Sequence, residues 1–200
     1  MHIVDRHMGI AVADVAGKGI PAALIMASFR ASLLAEIRNN YSIRTICEKV
    51  NILMCESTEP ENFVTAVYAV LDANDHVLTY ANCGHGSPIL LRADGRVEYL
   101  DAGGPLMGVV RDVKYDERAL VLQPGDIVLM YTDGATEVFD GAGNEFGTEG
   151  LVRALKDHQQ CSAVEIREAI HRAVTQHAAP DHPFDDITMV VIKRLPAESS

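Results

Sequence analysis

Four short acidic stretches hold the side chains best suited to chemistry: Ala13-Asp14-Val15-Ala16-Gly17-Lys18-Gly19, Tyr131-Thr132-Asp133-Gly134, Thr136-Glu137 and Phe184-Asp185-Asp186-Ile187-Thr188. Three of them set an Asp at the end of, or just before, an apolar, strand-like run. Carboxylates gathered from strand ends are what hard divalent cations take, since Mg²⁺ and Mn²⁺ bind oxygen donors and keep several waters. The stretches lie too far apart in sequence for one local loop to hold a metal, so folding has to bring them together. Each Asp alone has an ordinary structural role available. Asp14 suits a helix entrance, Asp133 a turn ahead of Gly134, and Asp185 or Asp186 the start of a strand. Taken as a set, Asp133, Asp185 and Asp186 each beside Gly, Thr or another Asp and Asp14 three residues ahead of Gly17, they point to an enzyme site.

The elements that must position these residues follow from hydrophobic period and turn chemistry. Residues 1–4 and 8–12 are predicted as strands around a turn at Asp5-Arg6-His7, with Asp14 ending the second strand. Gly17-Lys18-Gly19 then leads into a helix with Pro21 in its first turn, where proline is tolerated. Ile20, Leu24, Ala27, Ala31 and Leu34 form one apolar row, and Ile25, Phe29, Leu33 and Ile37 a second, so this helix is expected to lie flat on a sheet. Ser42 can cap a second helix carrying Ile43, Ile46, Val50, Leu53 and Met54. From Phe63 the period changes. Residues 63–71 and 77–82 predict a hairpin, with further strands at 88–92, 97–100, 115–122 and 126–131. Helices are predicted at 147–158 and 162–177, and a closing strand at 187–193. Strands in consecutive runs predict antiparallel sheets with helices packed outside, not a βαβ array.

Composition narrows the classes. Two hundred residues suit one domain with a sizeable core, and 48% hydrophobic with 22% charged residues is ordinary for a globular protein. No apolar run reaches the ~18 residues needed to span a bilayer; residues 20–37 come closest but are interrupted by Ser28, Arg30, Ser32 and Glu36. The net charge is −11, from 17 basic and 28 acidic residues, so neither nucleic acid nor an anionic membrane surface finds its usual electrostatic attraction. Cys47, Cys55, Cys83 and Cys161 form no CxxC pair and are expected as buried thiols in a reducing cytosol.

Several familiar motifs fail. A P-loop would need Gly where Val12 stands and Ser or Thr where Gly19 stands. Gly141, Gly143 and Gly147 miss the dinucleotide fingerprint by one position, and no Gly-x-Ser-x-Gly elbow or His-Glu-x-x-His pair occurs. Cys83-Gly84-His85 lacks partners at zinc spacing.

The chain resembles the SpoIIE/RsbU-type serine phosphatases, a bacterial branch of the metal-dependent PPM (protein phosphatase 2C-like) family. The resemblance is carried by residues 13–27 (Ala-Asp-Val-Ala-Gly-Lys-Gly-Ile-Pro-Ala-Ala-Leu-Ile-Met-Ala), 80–85 (Tyr-Ala-Asn-Cys-Gly-His), Pro124-Gly125-Asp126, residues 131–137 (Tyr-Thr-Asp-Gly-Ala-Thr-Glu), Phe146-Gly147 and Asp185-Asp186-Ile187-Thr188. It implies a four-layer α-β-β-α sandwich over residues 1–195, followed by a disordered tail at 196–200. It also implies a two-metal Mn²⁺ or Mg²⁺ centre. By position, Asp14 and the Val15 carbonyl are ligands, Asp133 follows as a second acidic ligand, and Asp185 fits the ligand position better than Asp186, which stands where many relatives have Asn. A metal-bound water is then the expected nucleophile and no catalytic side chain is assigned. His85 is expected to shape its loop rather than to act as an acid. Relatives carry a Gly-Asp-x-x-Asp motif on a strand ahead of the first residue here, so an N-terminal strand is expected to be missing.

The implied activity is a cytoplasmic phosphoserine/phosphothreonine protein phosphatase. Its implied substrate is a STAS-type anti-sigma-factor antagonist in a partner-switching pathway, with a sensor or receiver domain expected in the full-length protein. Two other readings stay open at this stage. One is a non-catalytic module that uses the fold to bind a signalling partner, and the other a metal hydrolase for small phosphorylated molecules.

Overall fold

The computed structural model describes residues 2–4, 6–40, 42–59, 61–179 and 185–196. Asp5, Phe184 and most of the expected tail therefore lie outside the described residues. The chain divides into two units, Met1–His85 with Asp101–Val121, and Gly86–Leu100 with Leu122–Ser200. Each is a sheet with its own pair of helices.

The first unit holds β1 (His2–Val4), β2 (His7–Val15), α1 (Gly19–Asn39), α2 (Ile43–Ser57), β3 (Val64–Asp72), β4 (Val77–Cys83), β7 (Gly103–Gly104) and β8 (Arg118–Val121). Its sheet runs β1-β2-β3-β4-β7, with β8 also paired to β4. All pairs are antiparallel except the two-residue β4–β7 pair. That short strand escaped the hydrophobic pattern because it consists of two glycines. Gly103 is required there, since a Cβ would fall 1.7 Å from the Asn82 carbonyl oxygen. The predicted strand at 115–122 is paired only from Arg118; Tyr115 instead fills the core. Strand β2 continues through Asp14 to Val15, opposite Thr65 and Val64, so Asp14 lies inside the ladder and does not end it.

The core of this unit gathers Val15, Phe29, Leu33, Ile37, Ile43, Ile46, Val50, Met54, Val64 and Tyr68 around the buried thiols of Cys47 and Cys83. Helix α2 starts at Ser42, whose hydroxyl accepts from the Thr45 N–H at 3.3 Å. It turns Asn51 inward, where sequence pattern offered Leu53. Asn51 donates to the carbonyls of Val110 and Arg111 and accepts from the Gly108 N–H at 3.0 Å, pinning an irregular stretch that has no ladder of its own.

Helix α1 departs from the broad face expected of it. Only Phe29, Leu33 and Ile37 of the second row are buried, while Ile20 is 78% and Leu24 66% exposed. By length and composition this helix is apolar enough to cross a membrane, with a mean hydropathy of 1.5 over 18 residues of which 17% are buried. The interruptions at Arg30 and Glu36 do not lower its average enough to fail that test. Its buried stripe packs within the core of this unit.

The second unit holds β5 (Ile89–Leu91), β6 (Val97–Tyr99), β9 (Ile127–Tyr131), α3 (Gly147–Asp157), α4 (Ala163–His177) and β10 (Met189–Lys193), with sheet order β10-β9-β5-β6, all antiparallel. Its core combines Ile89, Leu91, Ile127 and Leu129 with Leu151, Leu155, Ile166, Ile170 and Val174. Helix α4 opens with a reciprocal cap: the Ser162 hydroxyl accepts from the Glu165 N–H, and the Glu165 carboxylate accepts from the Ser162 N–H at 2.8 Å. That hydrogen bond holds the Glu165 carboxyl below its ordinary range. All four cysteines are free, but Cys55 and Cys161 are only partly buried.

Candidate metal centre

In the first unit, Asp14 is exposed near the end of β2 and lies directly opposite Thr65 on β3. The ladder also sets the direction of the Val15 carbonyl. The Ala16 N–H donates to the Phe63 carbonyl, and Val64 exchanges both of its backbone bonds with Met107. Backbone bonds alternate sides along an antiparallel strand, so the Val15 carbonyl points away from β3. It faces the edge of β2 on which β1, among the described residues, pairs at His7 and Met8.

Beside this pair sits the loop after β4. Asn82 brackets His85, donating to its carbonyl at 2.9 Å and accepting from its N–H at 2.8 Å. The His85 ring nitrogen Nδ1 lies 2.8 Å from the Thr65 hydroxyl. The neighbouring Cys83 thiol is pushed up by its hydrogen bond with Cys47 and by burial, which makes it a poor thiolate and a poor metal ligand.

In the second unit, β9 delivers Thr132 into a single 3₁₀ turn, Asp133–Ala135. Thr136 closes that turn through its hydroxyl, which donates to the Asp133 carbonyl at 3.0 Å, leaving Asp133 and Glu137 exposed. The 185–188 segment, some fifty residues away in sequence, is stitched onto the same turn. Thr188 and Thr132 exchange bonds, with the Thr132 N–H on the Thr188 carbonyl and the Thr188 N–H on the Thr132 hydroxyl, both at 3.1 Å. The Thr132 hydroxyl in turn donates to the Asp186 carbonyl at 3.4 Å. Gly134 makes the approach possible, because a Cβ there would stand 2.5 Å from the Asp186 carbonyl oxygen. Asp185 and Asp186 both expose their side chains, and the Asp185 Oδ1 accepts from the Asp186 N–H at 2.8 Å. Tyr131, the last residue of β9, is buried, and that desolvation pushes its hydroxyl up.

Folding thus brings Asp133 next to the Asp185-Asp186 pair, and Asp14 next to Val15 and Thr65. Among the described residues no group of three or more His, Cys, Asp or Glu side chains is arranged to hold a metal ion. The expected donors are hard oxygens in each unit, the Asp14 carboxylate and Val15 carbonyl in the first and the Asp133, Asp185 and Asp186 carboxylates in the second, a chemistry suited to Mn²⁺ or Mg²⁺ and ill suited to Zn²⁺. The sequence motifs include Asn82 and Thr132 without a role for either, and they leave out Thr65, which carries no local signal.

The Stage II sporulation protein E (SpoIIE) family model matches residues 4–195. Phosphoserine phosphatase RsbU of Bacillus subtilis (strain 168) is 27% identical over 188 residues, covering 94% of this chain and 56% of that protein. Phosphoserine phosphatase RsbP of the same organism is 25% identical over 194 residues, with 94% and 46% covered. The chain spans about half the length of the curated relatives it matches. Among solved structures, the SiaA-PP2C domain of Pseudomonas aeruginosa aligns with a TM-score of 0.81 at 25% identity, covering 92% of this chain and 75% of that one. The catalytic domain of the serine threonine protein phosphatase PstP, solved in complex with 2 manganese ions, aligns with a TM-score of 0.62 at 17% identity, covering 92% and 85%. The α+β arrangement of two antiparallel sheets with four helices is that of PP2C-type domains.

Proposed function

The chain belongs to the Stage II sporulation protein E (SpoIIE) family, and on that footing we propose that it is a metal-dependent phosphoprotein phosphatase acting on phosphoserine or phosphothreonine. The observation that carries the reading is the hydrogen-bonded apposition of the Thr132–Gly134 turn and the 185–188 segment. Two sequence-distant acidic motifs are held together there by a buried threonine and a glycine that admits no side chain. A turn that served only to reverse the chain would not need three exposed carboxylates beside it.

Asp14, the Val15 carbonyl, Asp133 and Asp185, with Asp186 alongside, are the proposed ligands of Mn²⁺ or Mg²⁺. When bound, such ions supply Lewis acidity at phosphoryl oxygens and lower the pKa of water. The chain contributes the positioning. Thr132 and Gly134 hold Asp133 against the 185–188 segment, and the β2–β3 ladder aims the Val15 carbonyl outward. Such a site needs no nucleophilic side chain, in keeping with the failed triad motifs.

The proposed substrate is a phosphorylated STAS-type anti-sigma-factor antagonist, which puts the activity in the cytoplasm under a regulatory domain of the longer protein. Two relatives named phosphoserine phosphatases support the phosphoserine part of this reading. Hydrolysis of a phosphoserine peptide is expected to require Mn²⁺ or Mg²⁺ and to be lost in Asp133→Asn. Full activity in that variant sinks the site assignment. Silence of the parent chain with either metal moves the reading to a phosphatase-fold module that binds a signalling partner.

A further inference from the structure

The loop after β4 is fixed before the His85 ring is considered. Asn82 clamps the His85 backbone from both sides. Gly84 adopts a φ of +70°, and a Cβ on it would meet the Leu106 backbone nitrogen at 2.5 Å. Gly84 also forms a parallel bridge with Ala66. These contacts fix the path of the loop without using the imidazole, which leaves the ring to be explained.

The ring's Nδ1 is 2.8 Å from the Thr65 hydroxyl in a half-buried setting. Thr65 faces Asp14 directly across the β2–β3 ladder. Directly opposed residues share one face of the sheet, with Cβ atoms about 4.5–5.5 Å apart. A threonine hydroxyl rotates to suit its partners, and a bond to a fixed imidazole removes that freedom. His85 therefore fixes a hydroxyl on the sheet face that also carries the Asp14 side chain.

We propose that His85 is a positioning residue that fixes the Thr65 hydroxyl beside Asp14, and so holds the Asp14 carboxylate in the orientation that binds a divalent cation. The inference rests on the phosphatase reading and deepens it. Groups standing behind a metal ligand orient it, and their loss typically weakens binding by about 10–100-fold. In this role His85 acts through Thr65 and need not touch the substrate.

The test is Mn²⁺ binding to the whole chain by titration calorimetry, with thermal unfolding of each metal-free variant as a check on folding. His85→Ala and Thr65→Val are each expected to weaken Mn²⁺ binding at least about tenfold. The double variant should be no weaker than the worse single one, because both changes break one connection. His85→Asn, which puts an amide where Nδ1 was, and Thr65→Ser, which keeps the hydroxyl, should both stay near the parent affinity. Additive losses, or a loss in His85→Ala without one in Thr65→Val, overturn the route through Thr65. Equal affinity in all variants overturns the inference and leaves the phosphatase reading standing. A parent chain that binds no Mn²⁺ overturns both.

Discussion

Asp126 is 1% exposed, and its carboxylate accepts from the Arg92 Nη1 at 2.9 Å, the Ala93 N–H at 2.9 Å and the Gln123 N–H at 2.8 Å. Arg92 also reaches Glu98 at 2.7 Å. Removing one member of a buried pair leaves the others without partners, which costs about 3–5 kcal/mol. Asp126→Ala should therefore lower the unfolding free energy by an amount near the lower figure, since Arg92 keeps Glu98, read as a lower urea midpoint with the slope of the transition unchanged. A loss under about 1 kcal/mol would show that water replaces these contacts and that Asp126 is no anchor. Asp133, by contrast, is exposed, and its loss should remove metal-dependent hydrolysis with little effect on that midpoint. The two aspartates look alike in sequence, each beside a glycine and each adjoining the same strand. What separates them is a partner 34 positions upstream, Arg92, which no local pattern reports. The acidic motifs were legible because Gly, Thr and Asp recur beside apolar runs. The residues behind them were not, because Thr65 and Asn82 acquire their roles only from cross-strand register and a distant loop.

Helix α1 shows how far period alone can be carried. Spacing identified the helix and both apolar rows, yet it could not say which row meets the core when the flanking positions are mostly alanine. Packing decides in favour of Phe29, Leu33 and Ile37. Leu33→Ala should cost about 2–5 kcal/mol through lost burial and a residual cavity. Leu24→Ala, at a side chain 66% exposed, should stay within about 0.5 kcal/mol. Equal costs measured by denaturant unfolding would mean that Leu24 is covered in solution. Helix α2 was read more closely, since its Ile43, Ile46, Val50 and Met54 stand against a polar opposite face and leave one choice of inward side. The expected end of strand β2 falls short of the observed one because an Asp shortly before Gly17 resembles a strand end. The continuous pairing of His7 through Val15 with β3 overrides that local cue.

The chain leaves its first unit after His85 and returns to it at Asp101, so β5 pairs with β9, some thirty-five residues further on, and β6 pairs with the other edge of β5. The four α-helices and every described strand except β7 were visible in the sequence, whereas this interleaving was not, because nothing in an apolar run names its partner. Over the whole molecule the formal charge is −11, which attracts cations in general and must be separated from specific binding. A ligand that binds only the folded state stabilises it by RT ln(1 + [L]/Kd), about 2.7 kcal/mol at one hundred times Kd. For a chain of this length each kcal/mol corresponds to about 2–4 °C, so Mn²⁺ at that excess should raise the unfolding midpoint by about 5–11 °C. A chelator should reverse the shift, and Asp133→Asn should abolish most of it. Screening of a diffuse acidic field would behave differently: at matched ionic strength Na⁺ would do as well as Mn²⁺, and a single aspartate would barely matter. A shift shared by Na⁺ and insensitive to Asp133→Asn would therefore assign the cation effect to net charge and leave the proposed ligands without a metal.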